Sequence, residues 1–272
     1  MTIETVISVK EFLYLLHKTE YIKYNWFRGH KEATYRLEPT LYRNKKAVIS
    51  GEGIIKFRHF EVEDEDIALK EFRKNFTNQI DNYKYNDLDF LYLMQHNGIN
   101  TRLLDFTLNP LIALFFSVVE DKEDKKKQSL IEKGENNEFD DNCAAVFCVD
   151  PLKINLLSFQ SEKIIDFAHI SFKRLRQMAM PVCIEPAEVK IDRRLEIQKG
   201  RFIFFGSEVK ELDWYEEPRK HILKILIPDE HRSKILKELH SKFNINYSTV
   251  YPDYEGLKKY VNQKTKGRLK KI

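Results

Sequence analysis

The sequence predicts an α+β fold, with a helix-rich N-terminal half packed on a mixed or antiparallel sheet. Helical spacing of apolar residues dominates the first half of the chain, whereas short apolar strand patterns dominate the second half. The strand patterns and helix patterns do not alternate regularly along the chain. That distribution favours α+β over a doubly wound parallel sheet.

The chain has 272 residues with 19 Phe, 13 Tyr, 9 Gly and 8 Pro, which is a globular composition. We treat 1–272 as a single domain whose motif-bearing part spans about 20–260. The charged stretch 121–142 lacks periodicity and is expected to be a surface insertion, and 262–272 is a basic tail. The formal net charge of +4 mixes both signs and does not by itself indicate nucleic-acid binding.

The protein is expected to be cytoplasmic, with no membrane partner. Cys143, Cys148 and Cys183 lack metal-type spacing and are expected to be reduced thiols. The first residues show no basic region followed by an apolar run and a cleavage site. Apolar runs in the sequence stay well below the roughly 20 residues that a spanning helix needs.

The first elements are indicated by capping and alternation signals. Ser8 followed by Glu11 fits a capping box for an opening helix. The segment "NWFRGH" alternates aromatic and polar residues and predicts a short strand that ends at Gly29. "YRLEPTLYR" is expected to be an extended loop because Pro39 removes a backbone donor.

Three helices are expected next. Apolar residues at spacings of three and four predict one over 64–83, and a second covers 88–96 and ends at Gly98 in a left-handed conformation. Asn109 and Pro110 mark the start of a third helix, which is apolar nearly all round.

The second half of the sequence is predicted to form strands and a C-terminal helix. "CAAVFCVD" is typical of a buried strand, and a helix-like segment covers 161–179. The segments "RLEIQKGRFIFFG" and "HILKILIP" are predicted strands. A last helix begins near Asp229.

The segment "QHNGINTRLLDFT" places many polar groups directly before the most apolar helix. Burying a guanidinium or a carboxylate costs several kcal/mol unless the group is paired. One interpretation is structural: Arg102 pairs with a carboxylate, and Asp105 caps backbone amides near the next helix. The other interpretation is a binding site that has the apolar helix as its floor. In that site Asp105 holds the loop through backbone amides and orients His96 or an arginine, and Arg102 either pairs with Asp105 or reaches the ligand.

The motifs in this chain, taken together, resemble those of the FRG domain family. They are Phe27-Arg28-Gly29, a proline-containing segment over 37–41, Gln95-His96 with Gly98 and "TRLLD", Gln198-x-Gly200-x-Phe202, and "STVYPDYEGL". The resemblance covers about 27–257 in the expected order. It implies that the motif residues gather around one polar cleft, where Gly29 would let a ligand approach the backbone closely.

Such a cleft suits an anionic small molecule or a nucleotide, because arginines bind phosphate and planar amides provide hydrogen bonds. No metal is expected, because the sequence shows no suitably spaced ligand set. The candidate catalytic residues are Arg28, His96, Asp105, Gln198 and Glu196. The candidate ligand-binding residues are Phe27, Gly29, Gln95, Thr101, Arg102, Glu38 and Tyr42.

The Phe27-Arg28-Gly29 segment is also similar to the first motif of arginine-type ADP-ribosyltransferases. This similarity implies an ADP-ribosyltransferase-like fold, NAD as cofactor, and an arginine that binds the dinucleotide phosphates. Those enzymes carry a Gln/Glu-x-Glu motif on a later strand. Here the counterpart is Glu196-Ile197-Gln198, in which Glu196 would share a strand face with Gln198 and could supply the missing charge.

Three functions follow from these expectations. The first is a nucleotide-directed enzyme of a bacterial defence or toxin type, an NAD-using ADP-ribosyltransferase or NAD glycohydrolase with a protein or nucleic-acid acceptor. The second is a nucleic-acid-binding protein or metal-independent nuclease, with His96 and Asp105 as acid and base and a basic rim. The rim comprises Lys173, Arg174, Arg176, Arg193 and Arg194. The third is a non-catalytic nucleotide-sensing module.

Overall fold

The computed structural model describes residues 1–43, 46–49, 55–58, 62–76, 84–119, 142–186, 193–208 and 210–269. The predicted surface insertion lies outside the described residues except for its last residue. The end of the predicted 64–83 helix and the last residues of the basic tail also lie outside them.

The strands of the described chain are short to medium in length. They are β1 Thr2–Thr5, β2 Trp26–His30, β3 Lys46–Ile49, β4 Ile55–Arg58, β5 Leu103–Thr107, β6 Cys143–Val149, β7 Ile165–Asp166, β8 Val182–Glu185, β9 Gly200–Phe204 and β10 Ile222–Pro228.

The helices occur in both halves of the chain. They are α1 Val9–Leu16, α2 Thr40–Arg43, α3 Val62–Asn75, α4 Asp87–His96, α5 Pro110–Val118, α6 Pro151–Phe159, α7 Phe172–Arg176, α8 Arg193–Gln198, α9 Glu216–Arg219, α10 Asp229–Phe243, α11 Tyr247–Val250 and α12 Tyr254–Leu269. Among the described residues, these helices are all too short or too polar to cross a membrane.

Eight strands form one mixed sheet in the order β1-β10-β6-β2-β5-β9-β8-β7. The pairs β1/β10 and β7/β8 are parallel, and the other neighbours are antiparallel. The strands β3 and β4 pair separately with each other. The predicted α+β class with a mixed sheet is therefore confirmed.

The sheet has a gap beside its central strand. β2 pairs with β6 over its whole length, from Trp26 to His30. On its other side, β2 shares one register pair with β5, between Phe27 and Thr107. Beyond that pair the two strands diverge, whereas β5 remains paired with β9 along its length. The divergence opens a space between β2 and β5.

The helix α5 lies directly against β2 on one face of the sheet. A Cβ atom added to Gly29 would lie 2.0 Å from the carbonyl oxygen of Ala113 and 2.7 Å from the amide nitrogen of Ser117. No side chain fits between these two backbones. Gly29 is therefore required for helix packing, which differs from its predicted role in ligand approach.

Several predicted element boundaries are confirmed. The Ser8 side chain accepts a hydrogen bond from the amide of Glu11 at the start of α1. Gly98 has a φ of 79° directly after α4. The Asn109 side chain caps α5, which has Pro110 in its first turn.

Two predictions in the second half were wrong. The segment 194–206 is not one strand, because residues up to Gln198 form α8 and Lys199, with a φ of 48°, turns the chain into β9. Alternation within "RLEIQ" resembled a strand, but most of these residues also favour a helix. The segment 161–179 is not one helix, since it contains β7, a 3-10 turn and α7.

Several elements were missed, among them β1, α2 and α6 in the described part of the chain. β1 is largely exposed and gives little apolar signal, and α2 falls within a segment that was expected to be an extended loop. The helix α6 begins at Pro151 after the Asp150 cap, which is the same signal that identified α5.

Arg102 is fully buried and pairs with Glu65 rather than with Asp105. Its Nε atom lies 2.5 Å from Glu65 Oε2, and its Nη1 atom donates to the carbonyl of Gly206 at 3.0 Å. The side chains are 1% and 0% exposed. Burial raises the pKa of Glu65, and the Arg102 charge opposes that rise. The pair therefore connects α3 to the start of β5 inside the protein.

Replacing Glu65 with alanine should lower the free energy of unfolding by about 3–5 kcal/mol, because it leaves the Arg102 charge buried without its partner. The double change Glu65→Leu with Arg102→Met should recover most of that loss. Urea denaturation measures both values. The neighbouring pair of Asp66 with Arg176, in which Asp66 is 50% exposed, is the control: Asp66→Ala should cost under about 1 kcal/mol. If Glu65→Ala and Asp66→Ala lower the free energy of unfolding by similar amounts, the Glu65–Arg102 pair is not a buried pair that the fold depends on.

Candidate functional site

A cavity of about 640 Å³ lies where β2 and β5 diverge. This volume is within the range of small-molecule sites, roughly 300–1,000 Å³. Its walls come from β2 and the following loop, the end of α4, the β5 and β9 strands, and the helices α2, α5, α8, α11 and α12. The polar residues that line it are Arg28, His30, Lys31, Arg36, Glu38, Thr40, Arg43, Gln95, His96, Asp105, Thr107, Arg194, Gln198 and Lys259. The aromatic ones are Phe27, Tyr35, Tyr92, Phe106, Phe116, Phe202, Tyr247 and Tyr251.

Arg28 bridges the gap between the diverging strands. Its Nη1 atom donates to the backbone carbonyl of Asp105 at 2.7 Å, and its Nε atom donates to His30 Nε2 at 2.8 Å. The Arg28 side chain is 16% exposed. The guanidinium thus supplies a hydrogen bond to β5 at a place where the two backbones no longer pair.

A second guanidinium lies near Arg28. The Nε and Nη2 atoms of Arg43 donate to the backbone carbonyl of Glu38 at 3.0 and 2.6 Å. Burial and the Arg43 charge lower the pKa of Arg28 to about 10, and Asp105 opposes this shift. Arg28 therefore remains protonated near neutral pH. Two adjacent cations at a cavity wall favour the binding of an anion.

Asp105 is the exposed carboxylate beside this pair of arginines. Its side chain is 57% exposed, and Oδ2 lies 3.8 Å from Arg28 Nη1. The expectation that Asp105 pairs with Arg102 or caps backbone amides was wrong, because Arg102 pairs with Glu65 and Asn109 caps α5. Asp105 instead presents negative charge to a cavity whose charged lining residues are mostly Lys and Arg.

The end of α4 forms part of the cavity wall. The Thr101 hydroxyl donates to the side-chain oxygen of Gln95. The Thr101 amide donates to Thr40 Oγ1 at 3.3 Å. His96 lies on the last turn of α4, with its ring 6.2 Å from that of Tyr92. The buried Thr101 thus positions Gln95 and does not reach the cavity itself.

Aromatic residues of α11 and of the loop after it close the cavity at the end where β2 and β5 are still paired. The Tyr247 and Tyr251 rings stack with 6.2 Å between centroids. Tyr251 also meets Phe116 of α5 edge-on at 6.0 Å. The Gln198 side chain donates to the carbonyl of Val250 at 3.1 Å, which ties α8 to α11.

The structure brings most of the sequence-predicted site residues to this cavity. Those that line it are Phe27, Arg28, Gly29, Glu38, Gln95, His96, Asp105 and Gln198. Those that do not line it are Thr101, Arg102, Tyr42 and Glu196. Their individual roles in chemistry remain predictions.

Three of the residues outside the cavity have clear structural positions. Arg102 is held by Glu65, and Tyr42 is buried with its ring edge-on to Phe205 at 5.9 Å. Glu196 is exposed on α8 rather than on a strand. The expected shared strand face of Glu196 and Gln198 was therefore wrong, because these residues belong to a helix.

Sequence reasoning missed the residues that flank the motifs. Arg43 lies two positions after the proline-containing segment over 37–41, and His30 directly follows Phe27-Arg28-Gly29. Tyr251 lies inside the closing "STVYPDYEGL" segment, which was recognised as a motif without a role. These residues could have been identified because each is an arginine, a histidine or an aromatic residue within or close to a recognised motif.

The described residues contain no group of three or more His, Cys, Asp or Glu side chains that could hold a metal ion. The predicted basic rim is dispersed. Arg176 binds Asp66, and Arg174 lies 4.6 Å from the centre of the Phe159 ring. Within the rim, Arg194 lines the cavity.

Residues 23–126 match the FRG domain family, and this part of the chain is an FRG domain. The match contains Phe27-Arg28-Gly29 and the "QHNGINTRLLDFT" segment, which supply the two diverging strands and the end of α4. No curated protein and no solved structure matches the chain.

Replacing Arg28 with alanine should lower the free energy of unfolding by about 1.5–3 kcal/mol, because the Asp105 carbonyl and His30 lose a charged donor. The protein should remain folded, since β2 keeps its full pairing with β6. Urea denaturation followed by circular dichroism measures the change. Gly29→Ala is the comparison, and it should cost more because its Cβ meets the backbone of α5. An Arg28→Ala protein as stable as the wild type would contradict the bridging role.

His30 should make the protein less stable in mild acid. Burial and the charges of Arg28 and Arg43 lower the pKa of His30 well below its usual value of about 6.5. Below about pH 6.5 the unfolded chain gains a proton at His30 that the folded chain does not accept. The free energy of unfolding should therefore fall by up to about 1.4 kcal/mol per pH unit from this group.

Denaturation curves from about pH 7.5 to about pH 5.5 test this dependence. The His30→Gln variant keeps an acceptor for Arg28 but cannot titrate, so its stability should fall less over the same range. Equal losses in the two proteins would show that His30 is not the titrating group.

Proposed function

We propose that the protein binds a nicotinamide dinucleotide in the cavity and cleaves the bond between nicotinamide and ribose. The activity is that of an NAD glycohydrolase or an ADP-ribosyltransferase, depending on whether water or another molecule accepts the ADP-ribose.

The observation that carries this proposal is Asp105, an exposed carboxylate in a cavity whose charged lining residues are mainly Lys and Arg. Arg28 and Arg43 favour a phosphate or pyrophosphate group. A carboxylate beside them would weaken the binding of a purely anionic ligand. NAD carries both signs, since its pyrophosphate is negative and its nicotinamide ring is positive. The charges of the cavity are complementary to such a ligand.

The same carboxylate suits the chemistry of bond cleavage. When the bond between ribose C1′ and the nicotinamide nitrogen breaks, both electrons leave with nicotinamide, which becomes neutral. Positive charge then develops on C1′ and the ring oxygen of the ribose. A carboxylate fixed beside an oxocarbenium-like centre stabilises this charge, as it does in glycoside hydrolysis. Asp105 is assigned that role.

The remaining step needs an acceptor that attacks C1′ and loses a proton. His96 lines the cavity on the last turn of α4 and is assigned as the base that takes this proton. The aromatic side chains of the cavity offer faces on which the two bases of the dinucleotide can stack. Gln198 is assigned a positioning role, because its amide ties α8 to α11.

The Asp105→Asn protein should release nicotinamide at least about 100-fold more slowly than the wild type. NAD binding should persist, because Arg28 and Arg43 are unchanged. Chromatography of the products measures nicotinamide release, and calorimetry measures binding. Asp66→Asn is the matched control, since Asp66 is an exposed aspartate that binds an arginine outside the cavity. That variant should cleave NAD at the wild-type rate.

Two outcomes would contradict the proposal. If the Asp105→Asn and wild-type proteins release nicotinamide at the same rate, Asp105 takes no part in the cleavage step. NAD binding to the wild type without any nicotinamide release would instead support the non-catalytic nucleotide-sensing module.

A further inference from the structure

His30 lies beside Arg28 on the same face of β2. The two residues are two positions apart in the strand, and alternate side chains of a strand point to the same face of a sheet. The Arg28 Nε atom donates to His30 Nε2 at 2.8 Å. Both residues line the cavity, and His30 is 5% exposed. The hydrogen bond between them is therefore partly buried at the cavity wall.

This hydrogen bond fixes the protonation of the imidazole ring. A guanidinium can only donate hydrogen bonds, so Nε2 of His30 is the acceptor and carries no proton. The ring is then the neutral tautomer with its proton on Nδ1. Burial lowers the pKa of this ring well below its usual value, and the charges of Arg28, Arg43 and Lys224 add to the shift, which the backbone of Tyr35 opposes. The imidazole therefore stays neutral, and able to accept, near neutral pH.

The ring of His30 is held in place by two aromatic neighbours. It meets the Phe147 ring of β6 edge-on with 5.0 Å between centroids, and the Tyr35 ring lies 6.2 Å away. Packing of this kind restricts the rotamer of the imidazole. The acceptor is therefore fixed relative to β2.

Two of the three guanidinium nitrogens of Arg28 are occupied by the protein. Nε donates to His30, and Nη1 donates to the Asp105 carbonyl at 2.7 Å. Within the described part of the chain, Nη2 makes no hydrogen bond or ion pair. A long side chain that is already held at two points loses less freedom when it binds a ligand through a third. Nη2 is thus the nitrogen that Arg28 has left for a ligand.

We propose that His30 is a positioning residue: its neutral Nε2 orients the Arg28 guanidinium so that Nη2 binds a phosphate of the ligand. This inference rests on the proposed function, because the phosphate is part of the dinucleotide pyrophosphate. In this role His30 contacts Arg28 and not the reacting atoms. Its effect reaches the ligand only through Arg28, so the effect should disappear when Arg28 is absent.

A double-mutant cycle between positions 28 and 30 tests this role. In the wild-type background, His30→Leu removes the acceptor and should weaken NAD binding about tenfold or more, because a hydrogen bond that orients a charged group is lost. In the Arg28→Ala background, the same change should alter the affinity by less than about twofold. His30→Gln keeps an acceptor oxygen and should bind NAD nearly as tightly as the wild type. Calorimetry measures the affinities, and inorganic pyrophosphate titrated in parallel reports on the phosphate contact alone.

His221→Leu is the matched control. His221 is a partly buried histidine that does not line the cavity, and burial also lowers its pKa. This change should leave the affinity for NAD unchanged in both backgrounds. Melting temperatures show whether each variant is folded.

Nitrogen-15 NMR of the wild-type protein labelled at histidine measures the tautomer directly, and the His30→Gln spectrum identifies the His30 signals. Nε2 of His30 should be unprotonated near neutral pH, with the proton on Nδ1. Should His30→Leu not fold, this measurement decides the role: an unprotonated Nε2 supports it, and a proton on Nε2 overturns it.

The outcomes separate this inference from the proposed function. The same factor of loss for His30→Leu in both backgrounds would overturn the positioning role, as would wild-type affinity in the His30→Leu protein. If the wild type binds pyrophosphate but not NAD, the proposed function fails, and the same cycle with pyrophosphate decides the role of His30. If neither binds, the inference fails together with the proposed function.

Discussion

The hydrogen bond from Arg28 to the carbonyl of Asp105 is the interaction on which the site depends. It spans the place where β2 and β5 stop pairing, at 2.7 Å between Nη1 and the carbonyl oxygen. A continuous ladder between these strands would close the cavity, and an unbridged gap would leave backbone groups of both strands without partners. One charged side chain therefore bridges the two strands and also presents a cation to the cavity.

Contacts within and behind the cavity lining hold the walls of the cavity in place. Arg102 and Glu65 connect α3 to β5, Thr101 positions Gln95, and Gln198 ties α8 to α11. Gly29 lets α5 approach the backbone of β2. These contacts explain why a polar segment lies against the most apolar helix: part of it supports the fold, and part of it faces the cavity. The two interpretations of "QHNGINTRLLDFT" are both represented, in different residues.

Local signals predicted much of the fold and part of the site. The caps at Ser8 and Asn109, the turn at Gly98 and the α+β class follow from residue patterns of a few positions. The partner of Arg102 could not be predicted, because Glu65 lies 37 positions away on a helix whose place in the fold depends on the tertiary structure. The helix over Arg193–Gln198 was missed because six residues are too few to separate strand alternation from helical spacing.

The most direct test of this account is a crystal structure of the protein with a nicotinamide dinucleotide that has a carbon atom in place of the ribose ring oxygen and so resists cleavage. The account predicts density in the gap between β2 and β5, with the pyrophosphate against Arg28 and Arg43 and the nicotinamide ring beside Asp105. Density for the dinucleotide at another place on the protein, or the pyrophosphate away from both arginines, would contradict the assignment of this cavity as the dinucleotide site.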